Sequence, residues 1–175
     1  MVSFLIDNTI LKIIPLIKNP ILNYLSALFT NFSSVFVIII VLISLFLLNK
    51  KKRKLALPLG ISFIFSYVIT YVLKFIIARP RPLGIIKTLP LINLIDYSFP
   101  SAHAAVAFAA LPILNKTYPK LKWLLISSAS FIAFSRIYIG VHYLSDVLAG
   151  AFIGYFTSIF ITKLKERKWK STGLR

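Results

Sequence analysis

The chain has 175 residues, of which 58% are hydrophobic and only 14% charged, and it carries a formal net charge of +17 with no cysteine. A soluble domain of this length could not hide so much apolar surface, so an integral membrane protein is expected. The lack of cysteine excludes disulfides, thiolate catalysis and cysteine-based metal sites. Nucleic acid is not expected as a partner: the Lys and Arg residues fall in short blocks between apolar runs, which suits topology signals and anionic lipid headgroups.

Residues 1–30 are apolar but broken by Asp7, Lys12, Pro15, Lys18 and Pro20. They read as one or two interfacial helices lying along a membrane. The start of the chain has neither a basic stretch nor a small-residue cleavage site, so a cleavable signal is not expected. Five apolar segments follow: Phe32 to Asn49, Leu55 to Ile77, Ser101 to Leu114, Leu121 to Tyr138, and Val141 to Ile161. A spanning helix needs about 20 apolar residues. The short third segment is therefore expected inside the bundle, and the Gly, Ala and Ser of segments three to five allow close helix contact. The expected fold is an all-α membrane bundle of about five transmembrane helices plus N-terminal interfacial helices. It forms one domain over residues 1–175, with the bundle at 32–163 and a basic tail at 164–175.

Charge then sets sidedness. Lys50, Lys51, Lys52, Arg53 and Lys54 follow segment one, Lys116, Lys120 and Lys122 follow segment three, and Lys163, Lys165, Arg167, Lys168, Lys170 and Arg175 end the chain. In a five-span arrangement these fourteen share one face, while Lys74, Arg79, Arg81, Lys87 and Arg136 fall on the other. Positive loops stay in the cytoplasm, so the second face is expected to point outward from the plasma membrane. Leu83 to Ile95 reads as an interfacial loop near the mouth of a site on that face.

The chemically versatile residues converge on the outward face. Lys74, Arg79, Arg81 and Pro82 follow segment two, Pro100-Ser101-Ala102-His103 opens segment three, Arg136 follows Ser135 near the end of segment four, and His142 and Asp146 open segment five. Lys74, Arg81 and Arg136 can neutralise a phosphoryl group, the two arginines through forked donors. Ser101 suits a helix N-cap, and the N–H groups of Ala102 and His103 at that start can hold an anion. His142 and Asp146 are four apart, so on a helix they share a face. Asp146 can then accept a proton from one imidazole nitrogen and leave the other free to attack, with His103 left as general acid.

These three blocks resemble the signature of the type 2 phosphatidic acid phosphatase superfamily, which also includes vanadium haloperoxidases. The family pattern is Lys, six residues, Arg-Pro; then Pro-Ser-Gly-His; then Ser-Arg, five residues, His, three residues, Asp. Here it runs from Lys74 to Arg81-Pro82, from Pro100 to His103, and from Ser135-Arg136 through His142 to Asp146. The resemblance implies His142 as a nucleophile forming a phosphohistidine, Asp146 as its orienting partner, His103 as proton donor, and Lys74, Arg81, Ser101 and Arg136 as phosphate ligands. Ala102 stands where the family usually has Gly, which costs energy if that residue needs a positive φ and is harmless if it is helical. Arg79-Pro80 has the wrong spacing and stays outside the core site.

The implied activity is hydrolysis of a lipid phosphate monoester or diphosphate, with lipid-to-lipid phosphotransfer as the runner-up. Undecaprenyl or dolichyl diphosphate, phosphatidylglycerol phosphate, phosphatidic acid and lipid A 1-phosphate are the candidate substrates. No cofactor or metal is expected. Of the four acids, Asp7 and Glu166 are placed away from the cluster, and Asp96 with Asp146 is too few for Mg²⁺. An iron site built from His103, His142 and Asp146 would be repelled by the neighbouring cations, and vanadate-dependent peroxidase chemistry does not suit a lipid-embedded body.

Overall fold

Asn19 and Pro20 show how local chemistry sets the first boundaries in the computed structural model, which describes residues 5–31, 55–82 and 97–171. The Asn19 side chain accepts the Leu22 N–H at 2.9 Å, and Pro20 fills the first helical position, where its missing N–H costs nothing. Helix α1 (Leu5–Ile13) passes through a 3₁₀ turn (Ile14–Ile17) to this cap and α2 (Pro20–Asn31). Then come α3 (Ala56–Ile77), α4 (Ala102–Ala109), α5 (Leu111–Thr117), a 3₁₀ turn (Pro119–Leu121), α6 (Lys122–Tyr138) and α7 (Leu144–Ser171). No strand occurs among the described residues. The expected first span, the Lys50–Lys54 block and the loop carrying Lys87 lie outside them.

The second and fourth apolar segments are α3 and α6. The third is two short helices, because Pro112 lacks the N–H that would continue the ladder to Phe108. The fifth begins three residues later than expected. Gly140 adopts a left-handed φ of 77° and ends α6. Its N–H bonds the Ile137 carbonyl, and those of Val141 and His142 turn back to the Arg136 carbonyl. These groups cap α6, so α7 starts only after them. His142 therefore sits in a turn rather than on the helix that carries Asp146.

Helix α4 is the centre of the bundle, packed against α3, α6 and α7, while α2 lies on α6 and α1 on α7. The α4–α7 contact is backbone on backbone. A Cβ at Gly150 would stand 2.3 Å from the Ser101 carbonyl oxygen, and one at Gly154 only 1.8 Å from that of Ala105. Only glycine fits at such an approach.

Polarity runs inside out. Helix α3 buries Ser62, Ser66, Thr70 and Lys74, one every four residues, and turns Ile64, Phe65, Val68, Phe75 and Ile76 outward. Helix α7 likewise exposes Leu148, Phe152, Phe156 and Phe160. Ala56–Ile77 and Leu144–Lys165 are each long and apolar enough to cross a membrane. At the end of the bundle where α3 begins and α5 finishes, a cavity of about 300 Å³ is lined by Leu55, Pro58, Ile113, Lys116 and Lys165.

Candidate active site

The opposite end holds Lys74 in the last turn of α3, Ser101 and His103 at the start of α4, Arg136 in the last turn of α6, and Asp146 in the first turn of α7. Helix α3 stops at Ala78, a left-handed residue (φ 48°) whose N–H bonds the Lys74 carbonyl at 2.9 Å. The chain then runs beside residues 97 and 98. The Ser98 N–H reaches the Arg79 carbonyl at 2.8 Å, and the Lys74 ammonium donates to the Tyr97 carbonyl. Ser101 caps α4 through its hydroxyl, while its own N–H takes the Asp146 carbonyl at 3.0 Å. This bond fixes the start of α4 against the start of α7.

Ala102 is the first residue of α4 and is helical, so alanine costs nothing where the family pattern has glycine. The N–H groups of Ala102 and His103 belong to the first turn, which has no carbonyl partners of its own. His103 is close enough to Arg136, His142, Arg81 and Lys74 to feel the charge of each. Lys74 and Arg136 are both buried. Arg81 donates to the Val141 carbonyl at 2.9 Å, and the same nitrogen stands 3.3 Å from His142 Nε2. One imidazole nitrogen thus faces a guanidinium directly, which puts a cationic donor beside the atom that would meet a phosphoryl group.

The other nitrogen, Nδ1, faces Asp146 Oδ2 at 3.5 Å. That is too long for a good hydrogen bond. Oδ2 instead accepts the Tyr143 N–H at 2.9 Å, the reach of a third-position carboxylate back to its helix cap. The His–Asp pairing expected from the spacing is present, yet it is made across the turn rather than along a helix face.

Two residues that the sequence reading set aside belong here. Arg79 donates to Asp146 Oδ1 at 2.6 Å, to the Ser145 hydroxyl at 2.7 Å and to Asp7 Oδ2 at 2.8 Å, and its guanidinium lies 3.9 Å from the centre of the Tyr143 ring. Asp7, expected far from the site, is fully buried beside Asp146. It also accepts the Ser145 N–H at 2.9 Å and the Ser145 hydroxyl at 2.6 Å. Burial works against the Asp7 charge, but the bonds from Arg79 and Ser145 outweigh it and hold the carboxyl below the usual range. Burial likewise opposes the Arg79 charge, and its bond to Asp7 and the charge of Asp146 raise it above its ordinary value.

A signal was available for Asp7. Asp7 is an acid inside an apolar helical run, a costly placement that calls for a partner. Arg79 gives no such signal: residues two apart in an extended stretch ordinarily share a side, yet here Arg79 and Arg81 part. Arg81 enters the cationic cluster and Arg79 the acidic one. Among the described residues no group of three His, Asp or Glu side chains is placed to hold a metal ion, and Asp7 meets Asp146 through a guanidinium.

A family model described as the PAP2 superfamily matches residues 55–170. The undecaprenyl-diphosphatase of Sulfolobus acidocaldarius is 34% identical over 125 residues, which is 70% of this chain and 61% of that protein, so the match spans about six tenths of the relative's length. Two crystal structures superimpose over 92% of the chain. LpxE from Aquifex aeolicus has a TM-score of 0.79 at 30% identity, with 97% of its chain covered. A transmembrane PAP2 type phosphatidylglycerolphosphate phosphatase from Bacillus subtilis has a TM-score of 0.73 at 28% identity, with 85% of its chain covered.

Proposed function

The chain belongs to the PAP2 superfamily, and from that premise we propose that it hydrolyses a membrane lipid phosphate monoester or diphosphate through a phosphohistidine at His142. The observation that carries this reading is the meeting of His142 Nε2 with Arg81 at 3.3 Å, at the bundle end where Lys74, Arg136 and His103 gather. Three fixed cations and the N–H groups opening α4 favour the charge that builds on the phosphoryl oxygens in the transition state.

In the first step Nε2 attacks phosphorus and an N–P bond forms as the P–O bond to the lipid breaks. His103 gives its proton to the departing oxygen. Asp146 takes a hydrogen bond from Nδ1 and stabilises the charge on the ring, as their 3.5 Å separation closes around the substrate. In the second step His103 removes a proton from water, the water oxygen attacks phosphorus, the N–P bond breaks and orthophosphate leaves.

The lipid-facing side chains of α3 and α7 suit a substrate that stays in the bilayer with its phosphate at the end of the bundle. The charge distribution supports an orientation with that end outside the cytoplasm. Undecaprenyl or dolichyl diphosphate, phosphatidylglycerol phosphate, phosphatidic acid and lipid A 1-phosphate are the substrates to compare. Phosphate release by the purified protein is expected with at least one of them, and silence on all of them would refute the assignment.

A further inference from the structure

Asp146 is completely buried, and what it does for His142 depends on which way its carboxylate is turned. One oxygen, Oδ2, is shared between the Tyr143 N–H at 2.9 Å and the His142 ring at 3.5 Å. Held there alone, the carboxylate could still swing about its Cβ–Cγ bond. The other oxygen, Oδ1, accepts a 2.6 Å charge-assisted bond from Arg79, which removes that freedom.

Arg79 is itself gripped from several sides. Ser145 Oγ accepts from one guanidinium nitrogen and Asp7 Oδ2 from the other, and the Tyr143 ring covers the face. Asp7 closes the ring by accepting both the N–H and the hydroxyl of Ser145. Asp7, Leu11 and Ile14 form one buried stripe of the N-terminal segment, while Leu5, Ile6 and Ile13 face outward. That stripe seats α1 against the start of α7 and carries Asp7 to Arg79.

We infer that Arg79 and Asp7 are positioning residues for Asp146, so that the N-terminal helix completes the site that His142 serves. The inference rests on the hydrolase reading above. A structural staple would have the same bonds but a different kinetic signature. Loss of a staple lowers stability and leaves turnover per folded molecule intact. Loss of a positioning pair lowers kcat, leaves KM unchanged and leaves the phosphate cage able to bind.

The test uses the full chain in detergent micelles, with a lipid diphosphate as substrate, as the parent protein, Asp7→Asn and Arg79→Lys. Sites are counted by vanadate titration, so partial folding does not distort the rates. Both variants are expected to lose about 10–100-fold in kcat, the range seen when groups that orient a functional histidine are removed. KM and the orthophosphate-induced rise in Tm should match the parent. Arg79→Lys should not rescue, because an ammonium is a point charge and lacks the fork that spans two carboxylates. Parental kcat per site in Asp7→Asn, or full activity in Arg79→Lys, would overturn the inference. Should Asp7→Asn titrate no sites, Arg79→Lys decides alone, and parental kcat there refutes the positioning role. A parent that releases no phosphate would instead refute the hydrolase reading itself.

Discussion

Gly150 lies one turn beyond Asp146 on the face of α7 that meets α4, and a single added methyl there should be felt at the site. A Cβ at Gly150 would stand 2.3 Å from the Ser101 oxygen and 3.3 Å from the Ala104 Cβ. A carbon rests no closer than about 3.3 Å to a carbonyl oxygen, so in Gly150→Ala the helices must part by roughly 1 Å. The atom pushed is the Ser101 carbonyl, on the same residue whose N–H holds the Asp146 carbonyl at 3.0 Å. That bond would stretch beyond hydrogen-bonding distance, moving the cap of α4 away from His142. Overpacking of this kind costs about 1–3 kcal/mol of stability, and a misplacement of about 1 Å costs on the order of 10²-fold in rate. Phosphate release and thermal unfolding of Gly150→Ala should therefore both fall, while Leu148→Ala, on the outward face, keeps the parental rate. Gly154→Ala has the harsher clash, at 1.8 Å, but one turn farther from the site, so its stability should suffer more and its rate less. A Gly150→Ala protein with the parental rate and Tm would refute the close α4–α7 approach.

The remaining expectations concern leaving group, metal, pH and sidedness. His103→Ala removes a proton donor worth about 10²–10⁴-fold, and kcat/KM should fall far more for a monoester, which expels a basic alkoxide, than for a diphosphate; equal losses would make His103 a phosphate ligand only. Activity should persist in EDTA and be blocked by vanadate, and a strict Mg²⁺ requirement would contradict a histidine nucleophile in a cage of cations. Because the folded carboxyl of Asp7 is held below its ordinary range, its contribution to stability should be fully present above about pH 4 and fade as pH falls further; the Tm gap between the parent and Asp7→Asn, followed across pH, should close only in acid, and a gap that stays constant would refute this. A reporter fused after Arg175 should lie in the cytoplasm and a tag near Lys87 outside, and the reverse pattern would invert the orientation.

Much of this arrangement is legible in single residues and their spacing. Apolar run length alone gives α3 and α6 to within a residue at their ends, since the charged residues Lys74 and Arg136 fall only in their last turns. Pro112 marks the break between α4 and α5, although the reading of one continuous short segment passed over it. The start of α7 is missed because Gly140 and two following N–H groups are used to close α6, a three-dimensional demand that hydropathy does not register. The signature brings His103, His142, Arg81, Arg136 and Lys74 to one end of the bundle, since each lies at a helix end whose direction the alternation of spans already sets. Asp7 and Arg79 are the counter-example. Their contact joins residues 72 apart in sequence, and it depends on how α1 seats against α7. Spacing rules within one helix do not reach that far, and only the cost of an isolated acid among apolar residues hints at it.

The most direct test is to trap the intermediate. The purified protein would be mixed with a lipid diphosphate labelled on its terminal phosphoryl group, quenched in base within the first turnovers, and digested to peptides. An acid-labile, base-stable label on the peptide that contains His142, absent from His142→Ala along with all turnover, is the expected result. Label on another residue, or sustained phosphate release by His142→Ala, would contradict a phosphohistidine at this position.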